Sequence, residues 1–376
     1  MITTKPNSKK NNNKLGILLI TSILIFVLIY PETCMEGCSK GLELFVTALF
    51  PTLFPFLVLC NILIHFKGEE FYAPYLGPLI CKPLKLPSSC SIVILISFLC
   101  GYPMGAKYTC SLYENKQITY DNAQRLLNIA SNASPLFILG TVSLSILKNS
   151  FYGIILLLSN YLSCILMGLL LNNKNSSHKN NTVLLTNKNA LPSFAKAFSM
   201  SIDDGISVTI KVGAYVIIFS VLNNLIMKSQ VFNSLISSNN IIRVISSFLM
   251  SLFELTNGCM LISSINAPVY IKLGLISFAI SFSGICIILQ VYSIVISHGF
   301  SIKKYVIRKL FQGMLSFLIT VAIYFTLFQN ISSTTMAYCY KADYKAKYFI
   351  MIILTLLLLV FNVLFSIKKQ NHPKKS

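Results

Sequence analysis

Cys100-Gly101-Tyr102-Pro103-Met104-Gly105-Ala106-Lys107 interrupts one long apolar stretch of the chain, and Glu254-Leu255-Thr256-Asn257-Gly258 interrupts another. Proline removes an amide donor and breaks a helix, and glycine permits close approach or unusual dihedrals. Lipid cannot satisfy freed backbone groups, so non-helical backbone at membrane depth must face protein or water. Both stretches therefore read as re-entrant hairpins whose tips line something other than lipid.

That reading depends on the surrounding chain being a membrane protein, and the composition says so. Of 376 residues, 55% are hydrophobic and 11% charged, with a mean hydropathy of +0.70; a soluble domain carries about 25% charged side chains. Seven windows without Asp, Glu, Lys or Arg (44–66, 86–106, 126–147, 149–173, 273–302, 310–340 and 348–367) are each long enough to cross a bilayer. The net charge of +20 is concentrated in acid-free segments. These are the N-terminus, 172–196, 301–309 with Lys303, Lys304, Arg308 and Lys309, and the tail from Lys368. The positive-inside rule makes all four cytoplasmic.

Spans are expected at 15–30, 41–66, 126–147, 151–171, 205–227, 268–297, 305–329 and 347–367, with both termini in the cytoplasm. Counting sides from the basic segments leaves the two interrupted stretches unable to span. The expected fold is an all-α polytopic membrane protein, an inverted repeat of helix, re-entrant hairpin and helix, with about eight spanning helices plus two hairpins. The expected divisions are a basic tail 1–14, a first transmembrane half 15–171 holding repeat 1 (41–147), a linker 172–196, repeat 2 (197–300), a C-terminal helix pair 301–367 and a basic tail 368–376. Phe56-Leu57-Val58-Leu59-Cys60-Asn61-Ile62-Leu63 and Phe219-Ser220-Val221-Leu222-Asn223-Asn224-Leu225-Ile226 carry a weak internal similarity. A bundle of kinked full-length spans is the alternative architecture.

Broken helices at matching positions of two halves point to a transport site at the bilayer midplane. Gly101, Pro103 and Gly105 shape the first tip, and Lys107 sits beside a half-helix end whose freed amides favour anions. Lys107 either contacts ligand or snorkels to water. Asn128, Ser131, Asn132 and Ser134 form a polar run before Pro135, with Asn128, Ser131 and Asn132 on one helical face. Glu254 is the lone charge between Arg243 and Lys272; a carboxyl so placed is expected to couple transport to protons or cations, or else to pair with Lys211 or Arg243. Thr256, Asn257, Ser283 and Gln290 complete the expected substrate-binding set, with helix packing the competing role for the last two.

Enzymatic chemistry is not expected. Four histidines show no metal spacing, Asp203 and Asp204 read as solvated charges at a helix start, no Walker loop occurs, and no cofactor is implied. No basic run alternates with aromatics as a nucleic-acid groove requires. The eleven cysteines lie mostly in apolar stretches and read as core residues; Cys34 and Cys38 read as plain thiols, with pairing or modification as the alternative.

The blocks Gly101 to Lys107, Ser131 to Phe137, Phe253 to Gly258, and Ser281 to Gln290 resemble those of the sporulation integral membrane protein YlbJ family. That family carries nucleoside-recognition Gate domains and is similar to concentrative nucleoside transporters. The resemblance implies export of dipicolinic acid from the mother cell across the outer forespore membrane of an endospore-forming bacterium. The residues alone reach an inverted-repeat carrier for a small anion. An ion-coupled carrier of nucleosides or another small solute, and a non-transporting sporulation scaffold or receptor, stay open, as does a homo-oligomer.

Overall fold

The structure is a computed structural model that describes residues 10–171, 192–237 and 239–328. The chain divides into two compact units, Met1–Ala322 and Ile323–Ser376, and the elements that build the site belong to the first. The predicted span 347–367, the tail 368–376, linker residues 172–191 and residues 1–9 of the N-terminal tail lie outside the described residues. Every regular element among the described residues is helical.

The first half contains α1 (Lys10–Ile29), α2 (Pro31–Leu44), α3 (Phe50–His65), α4 (Gly68–Leu76), α5 (Lys82–Leu84), α6 (Cys90–Cys100), α7 (Met104–Glu114), α8 (Tyr120–Ile129) and α9 (Ser150–Leu170). The second contains α10 (Phe194–Lys228), α11 (Gln230–Ser237), α12 (Asn240–Phe253), α13 (Leu255–Ser264), α14 (Val269–Phe282), α15 (Gly284–Val295) and α16 (Ile302–Phe328). Among the described residues four helices are long and apolar enough to cross a membrane: Ser150–Leu170, Phe194–Lys228, Val269–His298 and Ile302–Thr326. Two further pairs, Gly16–Ile29 with Pro31–Thr47 and Phe50–His65 with Gly68–Cys81, pass together but are bent by 101° and 89°. On α9 the leucines and isoleucines at 154, 158, 162, 165 and 169 are exposed, while Ser159, Asn160 and Ser163 are buried. This polar-inside, apolar-outside helix suits lipid and not water. The protein is an all-α polytopic membrane protein.

Several predicted spans need correction. The segment 126–147 is not one helix: α8 stops at Ile129, Ser131–Ser134 has no regular structure, and Phe137–Ile146 resumes as a π-helix. Pro135 disfavours helical dihedrals at Ser134 and brings no amide hydrogen of its own, so the polar run cannot continue the ladder. The segment 41–66 is continuous with α2 through a π-helical stretch, Phe45–Leu49, which hands over to α3 just before Pro51. The segment 268–297 breaks at Ser283, whose φ is +84°. The segment 205–227 belongs to a longer helix that starts at Phe194.

Both interrupted stretches are helical hairpins, α6 with α7 and α12 with α13. Each is followed by a helix that is itself broken, and then by a long apolar helix, α9 or α16. The order long helix, short helix, hairpin, broken helix, long helix thus occurs twice.

Hairpin and break fit together closely. A Cβ placed on Gly105, in the first turn of α7, would lie 1.4 Å from the Ala130 carbonyl oxygen, and one on Gly101 would lie 2.7 Å from the Ser134 amide nitrogen. Only glycine lets the first hairpin tip nest against the break after α8, and Gly101 also needs its φ of +79°. The Tyr102–Pro103 bond between them is cis. The tip also reaches the second broken helix, where the Tyr102 hydroxyl donates to the Ile280 carbonyl at 2.8 Å.

Candidate functional site

The break at Ala130–Ser134 is covered by one face of α16. Tyr305, Arg308, Lys309 and Gln312 follow each other at helical spacing and all turn to it. The Tyr305 hydroxyl and Ser131 Oγ are 2.6 Å apart, and Asn128 Nδ2 donates to the Tyr305 carbonyl at 3.2 Å. Arg308 Nη1 donates to Asn128 Oδ1 at 3.3 Å. Lys309 Nζ donates to the Ser131 carbonyl and to Gln312 Oε1, while Gln312 Nε2 donates to Asn132 Oδ1 at 3.1 Å. Asn132 Nδ2 returns to the Ile129 carbonyl at 2.7 Å. The Ile129 and Ser131 carbonyls that the broken ladder leaves open are thus taken up by side chains.

Lys309 is the unexpected member. Its residue exposure is 0%, its acceptors are neutral, and it forms no ion pair among the described residues. A buried cation so placed is costly and points to function. In the sequence it closes the basic cluster 301–309 and reads as a loop charge. The signal that marks it is the buried polar stripe continuing through Gln312, Ser316 and Thr320 into the apolar helix.

Glu254 ends α12 and caps α13. Its Oε1 accepts from the Thr256 amide at 2.9 Å, and Oε2 accepts from the Asn257 amide at 2.7 Å and from Asn257 Nδ2 at 2.8 Å. No ion pair with Lys211 or Arg243 forms among the described residues, so the pairing offered as its alternative role is not what holds it. A carboxylate on the amide end of a half-helix is the arrangement helix ends favour. Gly284 opens α15 after the break at Ser283. Two residues before that break, Ser281 Oγ donates to Asn160 Oδ1 of α9 at 3.0 Å. Gln290 lies on α15 and donates to Cys286 Sγ at 3.5 Å, a packing contact within its own helix.

Lys107 is partly buried and stands apart from these groups. Its Nζ lies 3.6 Å from Asp204 Oδ2 and 3.4 Å from Asn61 Oδ1, and Tyr108 OH donates to the same Asn61 oxygen at 2.6 Å. Asp204 is therefore not a free charge at a helix start: α10 begins at Phe194, and Asp204 ties it to the first hairpin. Ser134, counted among the ligand residues, accepts from the Phe137 amide at 3.2 Å and starts the π-helical segment. The residues singled out in the sequence fall into three groups: the first tip with the first break, the second tip with the second break, and Lys107 with Asp204. Tyr102 joins the first two.

Two hairpin tips nested against two broken helices within an apolar bundle define a polytopic membrane protein of the hairpin-and-broken-helix type. Over 336 residues the chain is 27% identical to the sporulation integral membrane protein YlbJ of Bacillus subtilis (strain 168), a match covering 81% of this chain and 82% of that protein. The likeness extends over most of both chains and supports the resemblance to the YlbJ family. No family model matches it, and no solved structure matches it.

Proposed function

We propose that the protein is a non-enzymatic carrier that moves a small anion across the outer forespore membrane, with both chain termini on the mother-cell side. Dipicolinate is the substrate that the family resemblance implies. The observation that carries the transport reading is the Tyr102 hydroxyl on the Ile280 carbonyl. This contact ties the tip of one hairpin to the broken helix of the other half, and two discontinuous helices meeting at one node are where carriers bind solutes.

The anion reading rests on chemistry. Half-helix amide ends and a buried ammonium are what a carboxylate seeks in a medium of low dielectric. Glu254 already shows a carboxylate held by such an end. A flat aromatic dicarboxylate also needs an apolar slot, and Tyr102, Phe137 and Ile276 lie in one apolar cluster between the two breaks.

Purified protein in proteoliposomes loaded with labelled dipicolinate tests this. Saturable flux that unlabelled dipicolinate competes and uridine does not is the expected result. Flux competed by uridine assigns a nucleoside carrier. Absence of flux for either solute, with correctly folded protein, leaves the scaffold or receptor reading.

A further inference from the structure

A cavity of about 290 Å³ lies between the start of α8, the end of α9 and the start of α16. Tyr120, Asp121, Gln124, Arg125, Lys304 and Arg308 contribute to its wall. Three cations therefore face one carboxylate, and none of the three forms an ion pair among the described residues.

The two arginines are held in place rather than free. Arg125 is 4% exposed, with Nη2 donating to the Leu84 carbonyl at 2.6 Å and Nη1 to the Lys85 carbonyl at 3.3 Å. Its Nε is buried and has no hydrogen-bond partner. Arg308 Nη1 is committed to the Gln124 carbonyl at 3.1 Å and to Asn128. Arg125 and Arg308 thus both contribute to the wall of the same cavity. Two anchored guanidinium groups on one cavity wall, with a buried donor left over, are the condition that a bound oxyanion relieves.

We propose that this cavity binds an oxyanion, carboxylate or phosphate, at the bundle end marked as cytoplasmic by the basic segments 172–196 and 301–309. It serves as the vestibule from which an anion passes to the break after α8. The path is set by α16: Lys304 and Arg308 line the cavity one turn apart, Arg308 also holds Asn128, and Lys309 follows at the Ser131 carbonyl. Cations at successive depths lower the cost of taking a negative charge out of water. The volume suits a small ring with carboxylates, below the usual range of pockets for drug-sized ligands. The carboxylate occupant rests on the carrier reading given above; the same donors would take a phospholipid headgroup.

Lys304 tests the site without disturbing the held arginines. Thermal unfolding is followed in phosphatidylcholine nanodiscs against isophthalate, dipicolinate and inorganic phosphate. Wild type is stabilised by at least one of them, with a midpoint in the millimolar range or below. The midpoint rises at least tenfold in Lys304→Glu and less in Lys304→Gln. Equal midpoints in all three proteins, or no stabilisation of wild type by any anion, overturn the site. Phosphatidylglycerol nanodiscs separate the sources: a midpoint raised by that lipid in wild type but not in Lys304→Glu identifies a headgroup as the occupant. Dipicolinate flux with an unchanged KM in Lys304→Glu removes the vestibule and leaves the carrier. Lys304-dependent stabilisation without dipicolinate flux does the reverse.

Discussion

Lys309, with no exposed surface, donates its ammonium to the carbonyl of Ser131 at the point where the helix after α8 is broken. The ammonium supplies the carbonyl with the donor that the helical ladder would otherwise provide. Lys309→Met should therefore leave Ser131 and Gln312 with unpaired buried oxygens, at about 1–3 kcal/mol for such a group. Lys309→Arg should not restore stability, because a planar five-donor fork does not fit an enclosed site shaped for a point charge. Thermal stability of the detergent-solubilised variants checks both; a Met variant as stable as wild type would show that the contact contributes little.

Gly105→Ala should be among the most damaging single-methyl changes in the chain. The added carbon would sit 1.4 Å from the backbone oxygen of Ala130, which cannot swing away as a side chain can. Overpacking of this kind costs about 3 kcal/mol, at the upper end of its usual range. Gly16→Ala is the control, since nothing lies within 4 Å of its Cβ position. Membrane accumulation of the two variants should separate clearly.

Glu254 holds two amides and the Asn257 side chain at the start of α13. Glu254→Ala loses every one of these bonds, and Glu254→Gln keeps one acceptor oxygen while turning an NH2 group toward donors. Stability should fall in the order wild type, Gln, Ala, with about 1 kcal/mol or more lost at the Ala variant. Proton coupling through Glu254 would require these bonds to weaken on protonation. The pH dependence of flux in the Gln variant tests that: a profile identical to wild type would confine Glu254 to capping.

The two hairpin tips were legible because glycine, proline and a lone acid stand out inside apolar sequence. The break after α8 was legible only as polarity. Asn128, Ser131, Asn132 and Ser134 were visible, but a run of small polar residues is also compatible with a continuous span glued to its neighbours. What decides is Pro135 acting together with the α16 side chains that cover the opened backbone, and these lie far apart in the sequence. Lys309 was hidden for a related reason. The positive-inside rule counts charges in a segment and says nothing about which helical face each one takes, so a lysine beside Arg308 looked like its solvated companions. Asp204 reads as a charge at a helix start because the apolar pattern begins only after it, whereas α10 begins at Phe194.

Lys107 and Asp204 separate an anion-site role from a tie between helices. Their oxygen and nitrogen are 3.6 Å apart, and the Asp204 side chain is 57% exposed. An ion pair that open to solvent is worth about 0–1 kcal/mol, so Asp204→Asn should change stability little. Lys107→Met removes the contact with Asn61 as well, and it also removes a cation from the segment between the first hairpin tip and α10. If the lysine attracts the transported anion, Lys107→Met should lower dipicolinate flux strongly while Asp204→Asn keeps it or raises it, because the competing carboxylate is gone. If the lysine only holds α7 to α10, the two single variants and the double variant Lys107→Met with Asp204→Asn should lose flux alike, with the loss of the pair itself costing no more than about 1 kcal/mol of stability. The cycle therefore compares flux and thermal stability in the same four proteins. A flux loss confined to the Lys107 variants, at matched stability, assigns the charge to the substrate path; parallel losses in all three assign it to the tie.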